Sequence, residues 1–128
     1  KICGGNTKMF MFDSSAIVEI ASGDEKIMEK YENSPLTTIN LVYGEVYLCH
    51  LRAKITEETF RNMPFALVDF SLTDIEEAMK LLHTHKKATK DFSFVDAVVY
   101  TVAKKNNLIL VTKDFGFKGL QNVEFITE

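Results

Sequence analysis

LILVTKDFGF, residues 108–117, decides how the rest of the chain is read. Leu108 to Val111 form a short, wholly aliphatic run, the mark of a strand buried on both faces. The run gives way to Thr112, Lys113 and Asp114, so a carboxylate stands where a buried strand stops. A strand buried on both faces belongs in a parallel sheet covered by helices. In such sheets ligands bind beyond the carboxyl ends of the strands.

Outward from this stretch the same grammar repeats. SFVDAVVYTVAKKNN, 93–107, predicts a helix opened by a capping box of Ser93 and Asp96. The first apolar run is MFMF, 9–12, and it too ends at a carboxylate, Asp13. SSAIVEIA predicts a short helix, and SGDEKIMEKYEN restarts one with Ser22 and Glu25 in capping-box spacing. Pro35 precedes a second strand candidate, LTTI, 36–39. Asn40 is placed to cap a long helix, LVYGEVYLCHLRAKI, and Thr56 to restart one at TEETFRNM, which Pro64 stops. FALVDFS, 65–71, is the third strand candidate. Thr73 and Glu76 form a further capping box before IEEAMKLLHTHKK, whose Ile75, Met79 and Leu82 share a stripe. VEFI, 123–126, predicts a short fifth strand. Short apolar strands alternating with helices predict a three-layer α/β/α fold with a parallel sheet of four or five strands.

The 128 residues suit one domain, expected over 9–128. Residues 1–8, with Gly4, Gly5 and Asn6, read as an N-terminal extension or a cloning scar, since Met9 and Met11 both suit a start. No apolar run nears the ~20 residues of a membrane span, and KICGGNTKMFMF lacks a signal-peptide core. Cys3 and Cys49 are too few for a disulfide framework and fit no zinc spacing, which predicts a reducing cytoplasm. The net charge of −3 excludes a simple nucleic-acid coat. A nucleic-acid substrate would need lysines and arginines gathered locally: Arg52 and Lys54, Lys86, Lys87 and Lys90, Lys104 and Lys105, or Lys113 and Lys118. Only the last pair lies close in sequence to Asp114, and the others read as solvated faces.

Four carboxylates occupy costly places. Asp13 and Asp114 follow strands. Glu45 is the only acid in LVYGEVYLCHL and has Leu41, Val42, Leu48 and Cys49 at helical spacing. Gly44 beside it would admit another backbone or a ligand. Asp96 lies in a first helical turn, where a capping role alone would also account for it. Asp13 and Asp114 have ordinary accounts as a cap and a turn residue. Convergence of the four would set like charges together, and two such charges ~4 Å apart repel by about 4 kcal/mol at an effective dielectric of 20. A cluster of this kind binds protons or cations. Oxygen ligands without His or Cys select Mg²⁺ or Mn²⁺, ions that serve phosphodiester hydrolysis by activating water and stabilising the leaving oxygen.

At these residues the sequence resembles the PIN-domain ribonucleases, especially their VapC-like prokaryotic branch. The matching pieces are FDSSAIVE at 12–19, Glu45 in its apolar helix, SFVDAVVYTVAKKNNLILVTKDFGF at 93–117 and the closing VEFI. The resemblance implies that Asp13, Glu45, Asp96 and Asp114 are the catalytic, metal-holding acids. It implies that Ser15 is the small hydroxyl residue near the first Asp, and that Thr112 orients a carboxylate or water. It further implies an Mg²⁺- or Mn²⁺-dependent endoribonuclease, with RNA as substrate, an antitoxin protein as partner and a homodimer as assembly. Segment 52–92 matches only in general character.

Two other readings are open to the residues. One is a phosphotransfer or phosphatase domain of a doubly wound fold. That reading lacks the second Asp at position 15, finds Asp69 early for a receiver, and leaves Glu45 unexplained. The other is a non-catalytic PIN-like binding module. Phe115 and Phe117 suit either base stacking or packing of the turn. His83 and His85 do not share a helical face and make a poor metal pair, and His50 reads as structural.

Overall fold

Parallel strands cannot be joined by hairpins, so each needs a crossover, and here helices supply them. The computed structural model describes residues 9–126, so the expectations for 1–8, Cys3 included, lie outside the described residues. In chain order the elements are β1 (Phe10–Phe12), α1 (Ser14–Ala21), α2 (Glu25–Tyr31), β2 (Leu36–Thr38), α3 (Asn40–Leu51), α4 (Glu57–Arg61), β3 (Phe65–Leu67), α5 (Leu72–His85), α6 (Phe94–Lys105), β4 (Ile109–Thr112), a single 3-10 turn (Phe115–Phe117) and β5 (Val123–Phe125). The result is the α/β/α architecture expected from the sequence.

All pairings among the described strands are parallel, but they fall into two ladders, β1-β4-β5 and β2-β3. The expectation of one continuous sheet is therefore refined. At the seam between β1 and β2, the Thr38 hydroxyl donates to the Phe12 carbonyl at 2.7 Å. A side chain thus does at this seam what a main-chain ladder does elsewhere.

Burial follows the aliphatic runs. Met11, Phe12, Leu110 and Val111 are completely buried, as are Ala97, Val98 and Val99 of α6. The Tyr31 ring meets Phe10 and Phe12 edge-on, with centroids 5.1 and 5.3 Å away. Removing a Phe of this kind from a packed interior typically costs about 3–5 kcal/mol.

Local signals held unevenly. The capping box of Ser93 and Asp96 forms, with both reciprocal bonds. The next helix upstream is capped by Ser71 and Asp74 rather than by Thr73 and Glu76. Asp74 wins because it also pairs with Lys105 of α6 at 2.9 Å. Helix α2 is capped by Asp24, whose carboxylate accepts from Lys26 and Ile27, while Ser22 closes α1. Asn40 is the first residue of α3 rather than its cap. That helix ends at Leu51 because Ala53 takes a positive φ of 64°. The third strand stops at Leu67, and Asp69 is exposed beyond it. Among the described residues no helix is long and apolar enough to cross a membrane.

Candidate metal-binding site at the ends of β1 and β4

Register brings the first two acids together. Phe12 pairs with Val111, so both strands end side by side, and Asp13 N–H donates to the Val111 carbonyl. Asp13 is 4% exposed and accepts three hydrogen bonds. Its Oδ1 takes the Ser15 hydroxyl at 2.8 Å and the Ala16 N–H at 2.9 Å, which caps α1. Its Oδ2 takes the Thr112 hydroxyl at 2.5 Å. Both hydroxyls are themselves fixed from the turn after β4. Asp114 N–H donates to Thr112 Oγ1 and Lys113 N–H to Ser15 Oγ, each at 2.9 Å. Asp13 and the Asp114 turn are thus tied through two side-chain hydroxyls.

Asp114 lies half-buried just beyond the strand, and its Oδ1 accepts the Gly116 N–H at 2.8 Å. A Cβ on Gly116 would come within 3.2 Å of that oxygen and 3.4 Å of the Asp91 carbonyl, so a larger residue would push the carboxylate aside. The Gly116 carbonyl accepts from His85 Nε2 at 2.9 Å, which places the proton on that nitrogen. The His85 ring stands edge-on to the fully buried Phe92, centroids 4.6 Å apart. Sequence alone assigns His85 no role beyond a poor metal pair with His83. Its spacing from His83 carries no signal, because the bond crosses 31 residues.

Electrostatics draws in the remaining acids. Burial raises the Asp13 pKa to about 6, against the lowering effect of its hydrogen bonds, and the charge of Asp96 adds to the rise. Burial likewise raises Glu45, with Asp96 contributing and a bond from Ser14 opposing. Asp96 is raised by burial and by the charge of Asp114, while its Ser93 bonds oppose. Asp96 is thus the link among the four: Asp13 and Glu45 feel its charge, and it feels that of Asp114. Among the described residues the ion pairs go elsewhere: Lys113 to Glu19, Lys105 to Asp74, Lys30 to Glu124.

The donor set suits a hard divalent cation: carboxylate oxygens only, charge-coupled, with no basic partner in those ion pairs. It is a loose arrangement. Among the described residues no three His, Cys, Asp or Glu side chains already form a metal-holding group. Capping bonds take one oxygen each of Asp96 and Asp114. These main-chain bonds fall on Asp96 Oδ2 and Asp114 Oδ1, so neither involves Asp96 Oδ1 or Asp114 Oδ2.

Nearby side chains divide by exposure. Phe117 is fully buried against Phe92 and belongs to the core. Phe115 is 71% exposed and stacks on Phe125 with centroids 5.7 Å apart. Gly44 borders open space, since a Cβ there would meet nothing within 4 Å, so packing within the chain does not require a glycine. His50 is structural, with its ring nitrogens on the Ile55 carbonyl and Glu57. Two surface cavities lie apart from the acids. One of about 550 Å³ is lined by Met28, Tyr31, Leu36 and Met63, and one of about 770 Å³ by Lys80, Leu81, Tyr100 and Lys104.

The fold has known counterparts. A toxin–antitoxin complex from Klebsiella pneumoniae contains a chain that superposes with a TM-score of 0.68 at 17% identity, over 92% of this chain and 96% of that one. PAE2754 from Pyrobaculum aerophilum gives 0.67 at 16% identity, over 92% and 90%. VapC20 of Mycobacterium tuberculosis, a sarcin-ricin loop cleaving toxin, gives 0.65 at 20% identity, over 90% and 98%. A search of the curated proteins finds no match. The profile of the PIN domain matches residues 10–122, which include Asp13, Glu45, Asp96 and Asp114, and the chain belongs to the PIN-domain family.

Proposed function

We propose that this chain is a Mg²⁺- or Mn²⁺-dependent endoribonuclease of the VapC-like branch, the toxin of a toxin–antitoxin pair acting in the cytoplasm, with 9–128 as its nuclease domain. The observation that carries the reading is that side-chain hydroxyls tie Asp13 to the Asp114 turn beyond β1 and β4, with the charge of Asp96 coupled to Asp13, Glu45 and Asp114. The likeness of fold to a chain of a toxin–antitoxin complex and to a sarcin-ricin loop cleaving toxin supports it. Family membership removes the ground for a phosphotransfer domain.

Asp13, Asp96, Asp114 and Glu45 would hold the ion. Once bound, it supplies Lewis acidity and charge neutralisation to phosphodiester hydrolysis. The chain's own part is positional. Thr112 and Ser15 fix both oxygens of Asp13, and Gly116 fixes Asp114. Asp96 Oδ1 and Asp114 Oδ2 retain lone pairs for a ligand. Ser14 steadies Glu45. Helix α3 exposes Leu48 and Leu51, apolar surface suited to an antitoxin or to a second copy in a homodimer. The test is cleavage of end-labelled single-stranded RNA with Mn²⁺ and with excess chelator. Cleavage with Mn²⁺ alone is expected, and equal rates in both would remove the reading.

Preference for unpaired RNA follows from Phe115. Its exposed ring, braced by Phe125 beside Asp114, offers a face on which an unpaired base can stack. Phe115→Ala is expected to weaken binding of single-stranded oligonucleotides by about 1–3 kcal/mol, with Phe115→Trp retaining it. Fluorescence anisotropy on both variants measures this, and identical affinities would exclude the role.

A further inference from the structure

The turn after α5 carries three lysines in five residues, Lys86, Lys87 and Lys90, and all three are exposed. Sequence distance hides where this turn lies. Both of its ends touch Gly116. His85 Nε2–H donates to the Gly116 carbonyl at 2.9 Å, and the Asp91 carbonyl is 3.4 Å from where a Gly116 Cβ would stand. Phe92, next in the chain, is fully buried with its ring 5.4 Å from that of Phe117. The segment is therefore fastened to the same short turn that holds the Asp114 carboxylate. None of the three lysines takes an ion pair among the described residues, and the one acid of the segment is Asp91, itself exposed. Lys118, exposed, follows directly after the 3-10 turn.

A polyanionic substrate has a problem at this site. The chain is net negative, and the four acids it must approach are negative. Phosphate contacts from Lys and Arg dominate affinity for nucleic acids, so the approach needs cations close by that are not already committed. We propose that Lys86, Lys87 and Lys90 form the phosphate-binding surface that seats the RNA backbone beside Asp114. This rests on the ribonuclease reading and adds to it the place where the strand lies. An acidic segment of a protein is the other polyanion this surface could take. RNA is favoured because the lysines adjoin the site where a phosphodiester must be presented.

The experiment measures binding without cleavage. A fluorescein-labelled ten-nucleotide oligouridylate is titrated with the full chain carrying Asp114→Asn, in chelator, across a range of salt. Releasing three phosphate contacts should flatten the plot of log affinity against log salt by about 2, at ~0.7 per contact for a single strand. Lys86→Gln/Lys87→Gln/Lys90→Gln is expected to do so, and the matching triple Arg variant to keep the original slope. Lys80→Gln/Lys104→Gln, at the cavity between α5 and α6, is expected to leave it unchanged. An unchanged slope in the triple Gln variant overturns the proposal, as does an equal loss in the Lys80/Lys104 control. Failure of the parent chain to bind RNA also overturns it, as does binding of an oligoglutamate peptide in place of RNA. Cleavage by the wild-type chain with Mn²⁺ is scored separately, so a failure of the nuclease reading is not confused with a failure of this surface.

Discussion

Asp114→Asn is expected to lower Mn²⁺-dependent RNA cleavage by about a thousandfold, the several kcal/mol that a positioned cation contributes to phosphoryl chemistry. The fold should barely register the change. Asp114 is half-buried, and the bond its Oδ1 accepts from Gly116 is one that an amide oxygen can also accept. What disappears is the negative charge. The measurements are single-turnover cleavage and thermal unfolding on one preparation. A fall in activity with an unchanged melting temperature is the expected pattern. A variant within tenfold of wild type would show that Asp114 is a turn residue and nothing more.

The second large effect concerns stability and pH. In the fold Asp13 holds its proton up to a pKa of about 6, against 3.8 for the free side chain. The folded state thus binds a proton that the unfolded chain releases across that window. The group's stabilising contribution is complete below about 3.8 and is lost as pH rises through about 6. Roughly two pH units correspond to about 3 kcal/mol. Glu45 and Asp96, also raised, act in the same direction. Asp74 and Glu57 are lowered, by Lys105 and Arg61 respectively, so their contributions are lost only at more acid pH. In chelator, the wild-type chain is therefore expected to gain stability between pH 7.5 and 5. Asp13→Asn should lose much of that gain. Urea unfolding of both chains at the two pH values isolates Asp13, because every other side chain is common to the two. Parallel pH dependence in wild type and variant would contradict the assignment.

How much of this was legible beforehand depends on the range of the interaction concerned. Short, mostly apolar stretches announced all five strands, most plainly at β4, where Leu110, Val111 and Thr112 are all buried. The Ser93–Asp96 box was legible because both partners lie within one turn. Rival caps such as Thr73 and Ser71 could not be ranked, since Asp74 is chosen partly by Lys105, 31 residues away. The seam at Thr38 was invisible for the same reason, as its acceptor belongs to another strand. Among the site residues, each acid stood out by being costly where it was. The hydroxyl ties through Ser15 and Thr112, and the hold of His85 on Gly116, join positions 31 to 99 residues apart. No local pattern encodes those.

The double employment of Asp13 has an evolutionary consequence. One oxygen closes the first helix and the other is tied to a neighbouring strand, so selection for a folded chain alone would resist an apolar replacement there. On the proposed reading Asp114 answers chiefly to chemistry, since its one capping bond is one an amide could also accept. A lineage that gave up cleavage would shed Asp114 early and keep Asp13 long afterwards, and an intact first aspartate is by itself a poor witness to a working enzyme.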